Sequence, residues 1–375
     1  MAETNLELII DGDGHLVEDI PAIAALMREE WMPKRFVDRQ ASSGSVLNGI
    51  FPAGDHLHAA TPIEYPPHSF QQADAAGWLE FADDVGIDST VLYPSAGLGY
   101  GRITNREWAI AVCMAYNDWV YENYTNKSPR FKAMGLIPMQ DPPAAAEELR
   151  RIVKDLGLPG AMLPSPGLSK HLGAKEFWQV YEEADRLGCA LAVHGGGHSG
   201  FGFDTYEVLG ASHALGHPLN NMVGFGGIIF NGCVDKFPNV HWGFMEGGIG
   251  WFIMCMERFD RSYETHKHYD PRNEMIQLQK GEGVSDYILR NIDEGRIFVG
   301  CEGSEPFLAQ AIQAYGNKFP VFSSDFPHEV NNEMCKEEIH EILDSPGLSN
   351  EDKSAVLNSN AQAFYRLTPV GSNGK

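Results

Sequence analysis

Hydrophobic residues occur along the chain in short runs that alternate with amphipathic segments. Eight runs predict β-strands because they are short, apolar and bounded by Gly, Pro or polar residues. They cover residues 6–15, 89–97, 131–139, 160–166, 189–197, 239–248, 296–305 and 320–329. Between them, residues 143–157 and 175–188 have apolar positions at helical spacing, and Gly157 and Gly188 stand where each helix should end.

Nearly continuous hydrophobic strands that alternate with helices predict a parallel sheet whose outer face is covered. Eight such units predict an α/β fold of one domain over residues 1–375, a closed (β/α)8 TIM barrel. Residues 31–77, after the first strand, and 198–232, after the fifth, interrupt the alternation. We expect both to be long insertions that shape a substrate pocket. A closing helix is expected over 347–367 and a loose tail over 368–375.

Composition narrows the classes of function. The chain has 51 acidic and 28 basic residues, a formal net charge of −23. This charge repels phosphates and anionic membranes, so we expect neither nucleic-acid binding nor membrane binding. We find no signal-peptide pattern, and no apolar run reaches the roughly 20 residues of a membrane helix. The six cysteines are scattered without a CxxC pair. This is typical of reduced thiols, so we expect a cytoplasmic protein that acts on a small molecule.

Ionisable side chains follow five of the predicted strands. They are Asp11, Asp13 and His15 after the first, His194 after the fifth, Glu246 after the sixth, Glu302 and Glu305 after the seventh, and Asp325 and His328 after the eighth. The reactive groups of a barrel lie at the carboxyl ends of its strands, so we expect these side chains to meet. Imidazole nitrogens and carboxylate oxygens are typical ligands of Zn²⁺, Mn²⁺ and Fe²⁺. A buried carboxylate cluster without a cation would be costly, so a metal site is predicted.

The candidate residues differ in the role that we expect of them. His15 and His194 are predicted metal ligands, and Asp13 is predicted to be a ligand or to contact one. Asp325 is predicted to be a ligand or a general base, and the same choice is open for Glu246. Structural interpretations stay open as well, since Asp13 could stabilise a turn and a buried histidine could simply be hydrogen-bonded in the core.

A second group of residues is predicted to bind substrate. Arg102, after the second strand, could bind a carboxylate group. His198, His213 and His217 lie in the 198–232 insertion, and we select His198 and His217 as pocket residues, together with His328. Glu18, one turn beyond His15, is a further candidate. Phosphate-binding GxxxxGK loops and the GxSxG motif of serine hydrolases are absent from the sequence.

The motifs, taken in order, resemble the amidohydrolase superfamily. They are DGDGH (11–15), GLIPMQDPPAAAEEL (135–149), VHGGG (193–197), NVHWGFMEGGIGW (239–251) and FSSDFPHE (322–329). The closer likeness is to the amidohydrolase-2 branch, typified by aminocarboxymuconate semialdehyde decarboxylase and the γ-resorcylate-type decarboxylases. The resemblance covers residues 6–367.

The resemblance implies roles for individual residues. In this branch a His-x-His or Glu-x-His motif after strand 1 supplies metal ligands, and Asp13 and His15 stand at the matching positions. His194 matches a histidine ligand, and Asp325 matches an aspartate that binds metal and handles protons. One departure is that Glu246 stands where the decarboxylases carry a histidine.

Several functions are compatible with these residues. The leading hypothesis is hydrolysis of a small carboxylated substrate by a metal-activated water, with Asp325 or Glu246 accepting its proton. The first alternative is non-oxidative decarboxylation of an aromatic or muconate-like acid. Because Glu246 could add a ligand, a dinuclear non-heme iron or manganese oxygenase is the second. A barrel kept as a binding or structural subunit is the third.

The hypotheses also differ in the metal content that they require. We expect one or two divalent cations per chain, Zn, Mn or Fe. The resemblance implies a homodimer or a related hetero-oligomer.

Overall fold

Every one of the eight hydrophobic runs contains a β-strand in the computed structural model. The described residues are 8–28, 50–54, 73–165, 167–270 and 274–367. Most of the predicted insertion at 31–77 and the tail at 368–375 lie outside them. The strands are β1 (Ile10–Leu16), β2 (Ser89–Pro94), β3 (Phe131–Ala133), β4 (Gly135–Leu136), β5 (Gly160–Ser165), β6 (Ala190–Gly195), β7 (His241–Met245), β8 (Ile297–Cys301) and β9 (Pro320–Phe322).

All strand pairs are parallel and follow the order of the chain. β1, β2 and β3 form one sheet, and β4 to β9 form a second. The two sheets meet within the third predicted run, where Met134 separates β3 from β4. Most strands are shorter than the predicted runs because the runs continue beyond them into loops, whereas β1 extends to Leu16, one residue past the end of its run.

Backbone hydrogen bonds connect the chain after β9 to β1. The N–H of Asp325 donates to the carbonyl of Asp13 at 3.1 Å, and the N–H of His15 donates to the carbonyl of Phe326 at 2.7 Å. No regular ladder joins β9 itself to β1 within the described ranges. The resulting circular order of parallel strands is that of the predicted (β/α)8 barrel.

Helices connect successive strands. They are α1 (Ile20–Leu26), α2 (Ala75–Val85), α3 (Arg106–Val120), α4 (Pro142–Lys154), α5 (Trp178–Leu187), α6 (Leu209–Phe230), α7 (Cys233–Lys236), α8 (Gly250–His266), α9 (Val284–Asp293), α10 (Leu308–Tyr315), α11 (Asn332–Asp344), α12 (Asn350–Ser354) and α13 (Asn360–Tyr365). Short 3₁₀ turns cover Ala96–Arg102, Lys175–Phe177, Phe203–Thr205 and Lys267–Tyr269, and π turns cover Tyr121–Thr125 and Ala355–Ser359. Among the described helices, none has the combination of length and apolar character that crossing a bilayer requires.

Two of the predicted helices have terminal residues that are typical of helix ends. α4 begins after Asp141, whose side chain accepts a hydrogen bond from the N–H of Ala144, and Pro142 occupies its first turn. α5 ends at Gly188, which adopts the left-handed conformation at φ 62°. The predicted closing helix corresponds to α12 and α13 with the π turn between them.

The segment predicted as an insertion after the fifth strand is largely helical. α6 occupies 22 of its residues and places His213 and His217 on a helix rather than on a loop. The sequence did not predict this helix because glycine and proline have low helix propensity. The glycines nevertheless allow the backbone of α6 to pack closely against the barrel. A Cβ at Gly224 would lie 2.8 Å from Cγ1 of Val193 in β6. Tertiary packing therefore determines this helix.

Candidate metal centre

All five side chains predicted as metal ligands lie together at one end of the barrel. Nε2 of His15 lies 3.5 Å from Oδ1 of Asp13, 3.5 Å from Oδ1 of Asp325 and 3.7 Å from Oε2 of Glu246. Nε2 of His194 lies 3.6 Å from Oδ2 of Asp13 and 3.3 Å from Oε2 of Glu246. Side chains from four strand ends thus converge on one point, as expected of parallel strands in a barrel.

The backbone is unusual where the carboxylates enter the site. Glu246 and Asp325 adopt φ values of 45° and 52°, in the left-handed region that residues other than glycine seldom occupy. The pairing of β1 with β2 is also irregular between Asp11 and Gly14. Such conformations cost free energy and recur at functional sites, because they aim side chains that a regular strand would direct elsewhere.

Hydrogen bonds orient both histidines toward the centre. Nδ1 of His15 lies 2.9 Å from the carbonyl of Pro94, and Nδ1 of His194 lies 2.6 Å from the carbonyl of Gly195. A carbonyl only accepts, so in each ring Nδ1 carries a proton, and the neutral ring presents the lone pair of Nε2 to the centre. Burial, with His328 and His194 nearby, holds the pKa of His15 well below its ordinary value. Each ring therefore has the form in which imidazole binds a metal.

The chemistry of these atoms fits a bound cation. Both carboxylate oxygens of Asp13, Nε2 of His15 and of His194, and Oε2 of Glu246 are buried and make no hydrogen bond within the described parts of the chain. Ligand atoms of Asp13, His15 and His194 all lie within 4.8 Å of one another. Buried acceptors that face each other without a donor are costly, and a divalent cation would satisfy them together.

The electrostatics of the carboxylates point the same way. Burial raises the pKa of Asp13, and it holds the pKa of Glu246 well above the ordinary glutamate value. For Glu246 the negative charges of Asp325 and Asp13 raise the pKa further. Burial and like charges favour the neutral form of such a carboxyl group, and a bound cation would offset the charges around it.

Asp11 lies next to the centre without joining it. Its buried carboxylate accepts hydrogen bonds from Oγ1 of Thr90 at 2.7 Å, from N and Oγ of Ser324 at 2.9 Å each, and from the N–H of Asp13 at 3.3 Å. Burial raises its pKa to about 6. The strand alternation placed Asp11 on the same face as Asp13 and His15, but the irregular register of β1 separates their surroundings.

Three histidines predicted to bind substrate surround the centre. Nε2 of His217 lies 3.1 Å from Oε1 of Glu246, and the ring of His198 lies 4.7 Å from that of His217. Nδ1 of His328 lies 2.9 Å from Oδ1 of Asp325, and its Nε2 lies 2.8 Å from Oγ of Ser95. Sequence reasoning missed Ser95, since a serine after a buried strand carries no distinctive signal.

Arg102 and Glu18 do not reach the ligand cluster. Arg102 donates to the carbonyls of Ala53 at 2.6 Å and Gly54 at 3.3 Å, so its guanidinium binds the backbone rather than the candidate ligands. The carboxylate of Glu18 accepts from the N–H groups of Ala96 at 3.0 Å and Gly97 at 2.8 Å. Both residues hold the loop at Ala96–Arg102 in place, because long side chains bind the nearest unsatisfied backbone groups.

A cavity of about 320 Å³ lies beside Glu246. Residues of α6, His213 and His217 among them, form one wall, and Glu302, Glu305 and Phe307 line the other side. Its size suits a small molecule. The cluster and the cavity together form a candidate active site.

Known proteins resemble this chain over most of its length. Residues 10–367 match a family model described as amidohydrolase. γ-Resorcylate decarboxylase of Rhizobium sp. (strain MTP-10005) is 38% identical over 308 residues, which cover 77% of this chain and 86% of that protein. 2-Amino-3-carboxymuconate-6-semialdehyde decarboxylase of Dictyostelium discoideum is 24% identical over 296 residues, which cover 76% and 74% of the two chains.

A solved structure resembles the fold. It is a 5-carboxyvanillate decarboxylase from Novosphingobium aromaticivorans, complexed with manganese and 4-hydroxy-3-methoxy-5-nitrobenzoic acid, with a TM-score of 0.67 and 17% identity over 98% of each chain. Structures of this kind are TIM barrels, which confirms the predicted fold class. The relatives are decarboxylases, so the first alternative has more support than the hydrolase hypothesis. Because the family model covers most of the chain, this protein is an enzyme of the amidohydrolase family.

Proposed function

We propose that this protein catalyses the non-oxidative decarboxylation of an aromatic carboxylic acid with a bound divalent cation. The observation that carries the proposal is the convergence of buried, unpartnered acceptor atoms from Asp13, His15 and His194. Its support from relatives is the γ-resorcylate decarboxylase that is 38% identical. The presence of manganese in a structural neighbour makes Mn²⁺ the first cation to test.

The proposed ligands are Asp13, His15, His194 and Asp325. Two neutral imidazoles and two carboxylates offset the charge of a divalent cation and match the ligand preference of Mn²⁺ and Zn²⁺. When bound, the cation would hold the carboxylate of the substrate and fix its orientation toward the proton donor. His15 and His194 bring their lone pairs to the centre, because their Nδ1 protons are committed to backbone carbonyls.

Glu246 is the proposed general acid. Burial raises the pKa of Glu246 well above the ordinary glutamate value, and the nearby charges of Asp325 and Asp13 add to the shift, which favours the protonated form that a general acid needs. It donates this proton to the ring carbon as the bond between that carbon and the carboxylate breaks. The electron pair of the broken bond forms the new C–H bond, and CO₂ leaves. Solvent then returns a proton to Glu246.

Two histidines are proposed to support this step. His217 contacts Oε1 of Glu246 at 3.1 Å and directs its carboxyl group. Burial lowers the pKa of His328, but Asp325, Glu329 and Asp13 raise it more, so the pKa lies above the ordinary histidine value. His328 can thus contribute positive charge beside the carboxylate of the substrate.

A dinuclear oxygenase is the second candidate, and one observation favours it. Ligand atoms of His194, His217 and Glu246 also lie within 4.8 Å of one another, next to the group formed by Asp13, His15 and His194. Elemental analysis of protein purified without added metal or chelator separates the two candidates. About one cation per chain supports the decarboxylase, whereas about two irons with O₂-dependent turnover would support the oxygenase.

The decisive experiment measures CO₂. Manganese-loaded protein is incubated in D₂O with a panel of hydroxylated benzoic acids, and released CO₂ and ring deuterium are quantified. We expect one CO₂ and one deuterium per product molecule. The Glu246→Gln variant should keep its metal but lose at least about 100-fold in rate, since a general acid contributes that much. Products that contain water-derived oxygen and no released CO₂ would contradict the proposal.

A matched control guards against indirect effects of the Glu246→Gln substitution. Glu176 is a largely exposed glutamate, and its Glu176→Gln variant should turn over at the parent rate. Metal content of each variant is measured in parallel, so a lost cation is distinguished from a lost proton donor.

A further inference from the structure

The cavity beside Glu246 has an acidic lining. Glu246, Glu302 and Glu305 all border it, and no lysine or arginine does so among the residues that the structure describes. Glu246 is 8% exposed, and its Oε2 is buried without a hydrogen-bond partner. A ligand that enters this cavity therefore meets carboxyl groups and no permanent positive charge.

The two outer glutamates differ in their hydrogen bonds. Glu305 is fully engaged, since its carboxylate accepts from the N–H of Ile249 at 2.5 Å and from the N–H of Glu302 at 2.8 Å. The carboxyl group of Glu302 receives no hydrogen bond from any residue in the described ranges. Glu305 thus shapes the wall, while Glu302 is available to a ligand.

Charge in the cavity favours one kind of partner for Glu302. Burial raises the pKa of Glu302 to about 7, and the negative charge of Glu305, which also lines the cavity, raises it as well. A positive group would relieve this repulsion, whereas an added carboxylate would increase it. The lining therefore discriminates by charge as well as by size.

We infer that the substrate carries a protonated amine on the side that enters this cavity, and that Glu302 binds it. The inference rests on the proposed function, in which the carboxylate of the substrate lies at the metal centre. An ammonium group brings three donors and the positive charge that the described lining lacks. A second carboxylate at the same position would be excluded.

Four benzoates that differ only at the meta position test this inference. They are 3-(aminomethyl)benzoate, 3-(hydroxymethyl)benzoate, 3-methylbenzoate and isophthalate, which place a cation, a neutral donor, a methyl group or an anion in the cavity. Binding to the manganese-loaded protein is measured by calorimetry near neutral pH. We expect the aminomethyl compound to bind at least about tenfold more tightly than the methyl compound, as for a charge-assisted hydrogen bond. Isophthalate should bind most weakly.

The Glu302→Gln variant identifies the residue responsible. It should bind the methyl compound as the parent does and lose most of the preference for the amine. Glu351→Gln, at an exposed position of α12, is the control and should keep the preference. A preference that survives in Glu302→Gln would overturn the assignment to Glu302.

The order of the four affinities in the unmodified protein also tests the inference, and this test does not depend on whether a variant folds. Equal affinities, tighter binding of isophthalate, or binding of none of the four would overturn the inference. The CO₂ assay is independent of this ranking. CO₂ release without an amine preference would overturn the inference alone, and an amine preference without CO₂ release from any acid would overturn the proposed reaction alone.

Discussion

The buried carboxylate of Asp11 accepts a hydrogen bond from the backbone N–H of Ser324, with 2.9 Å between nitrogen and Oδ1. Ser324 directly precedes Asp325, and the same carboxylate accepts from the N–H of Asp13 at 3.3 Å. Asp11 thus connects the two chain segments that carry the carboxylates of the proposed metal centre. Thr90 of β2 supplies a further hydrogen bond to it.

Substitution of Asp11 should weaken metal binding without removing a ligand. We expect Asp11→Ala to lower Mn²⁺ affinity by about 10- to 100-fold, the usual effect of losing a residue that orients ligands. The N–H of Ser324 would lose its buried acceptor, so the free energy of unfolding of the metal-free protein should fall by about 1–3 kcal/mol. Chelator competition and urea denaturation measure the two effects.

Two further variants control the Asp11 experiment. Asp11→Asn keeps one acceptor oxygen and should recover most of the lost affinity. Asp293→Ala removes an aspartate whose side chain is 75% exposed, and it should change neither measurement. Parent-like Mn²⁺ affinity in Asp11→Ala would show that Asp11 does not position the ligands.

Metal removal should destabilise the protein. A ligand at 100 times its dissociation constant stabilises the folded state by about 2.7 kcal/mol, so Mn²⁺ should raise the Tm and a chelator should reverse the rise. His194→Ala removes a predicted ligand and should abolish the response, whereas the exposed His340→Ala should retain it. Differential scanning calorimetry with and without Mn²⁺ makes the comparison. If Mn²⁺ does not change the Tm of the parent protein, the proposed ligand set is wrong.

His217 should affect the rate more than substrate binding. Its Nε2 lies 3.1 Å from Oε1 of Glu246, so it can direct the carboxyl group that we propose as the proton donor. We expect His217→Gln to lower kcat by about tenfold with little change in KM, since it alters an interaction used in the transition state. His268→Gln, at an exposed position, is the control. A change in KM alone would instead assign His217 to substrate binding.

Glu338 on α11 should make stability depend on pH. Burial raises its pKa to about 8 from the ordinary value of 4.5, and the charges of Glu302 and Asp325 add to the effect. The folded protein therefore holds this proton more tightly than the unfolded chain does. The contribution of Glu338 to stability is largest below the unfolded-state pKa and falls as the pH rises toward the folded-state value.

The Glu338→Gln variant isolates this contribution. Relative to the parent, it should gain roughly 1–3 kcal/mol in free energy of unfolding between about pH 5 and about pH 9, after allowance for partial solvent screening. Urea denaturation of both metal-free proteins at each pH gives the difference. Glu337→Gln replaces the exposed neighbouring glutamate and is the matched control. A parent-to-variant difference that is constant with pH would contradict the prediction.

The positions of the strands and the clustering of the candidate ligands followed from the sequence alone. Alternating hydrophobic runs and amphipathic segments predict parallel strands, and such strands end at the same side of a barrel. This rule was enough to select His15, His194, Glu246 and Asp325 as neighbours, although up to 310 residues separate the first from the last. It works because strand ends are set by local hydrophobic patterns.

Four features were decided only by tertiary structure. α6 forms through glycines that pack against β6, Arg102 turns to the backbone of Ala53 and Gly54, and Glu302 faces the cavity beside Glu246. The irregular register of β1 likewise sets Asp11 apart from Asp13. Each depends on contacts between segments distant in the chain. Local periodicity shows on which face of a helix or strand a residue lies. The partner of the terminal group of a long side chain, however, depends on which other segments folding brings close to it.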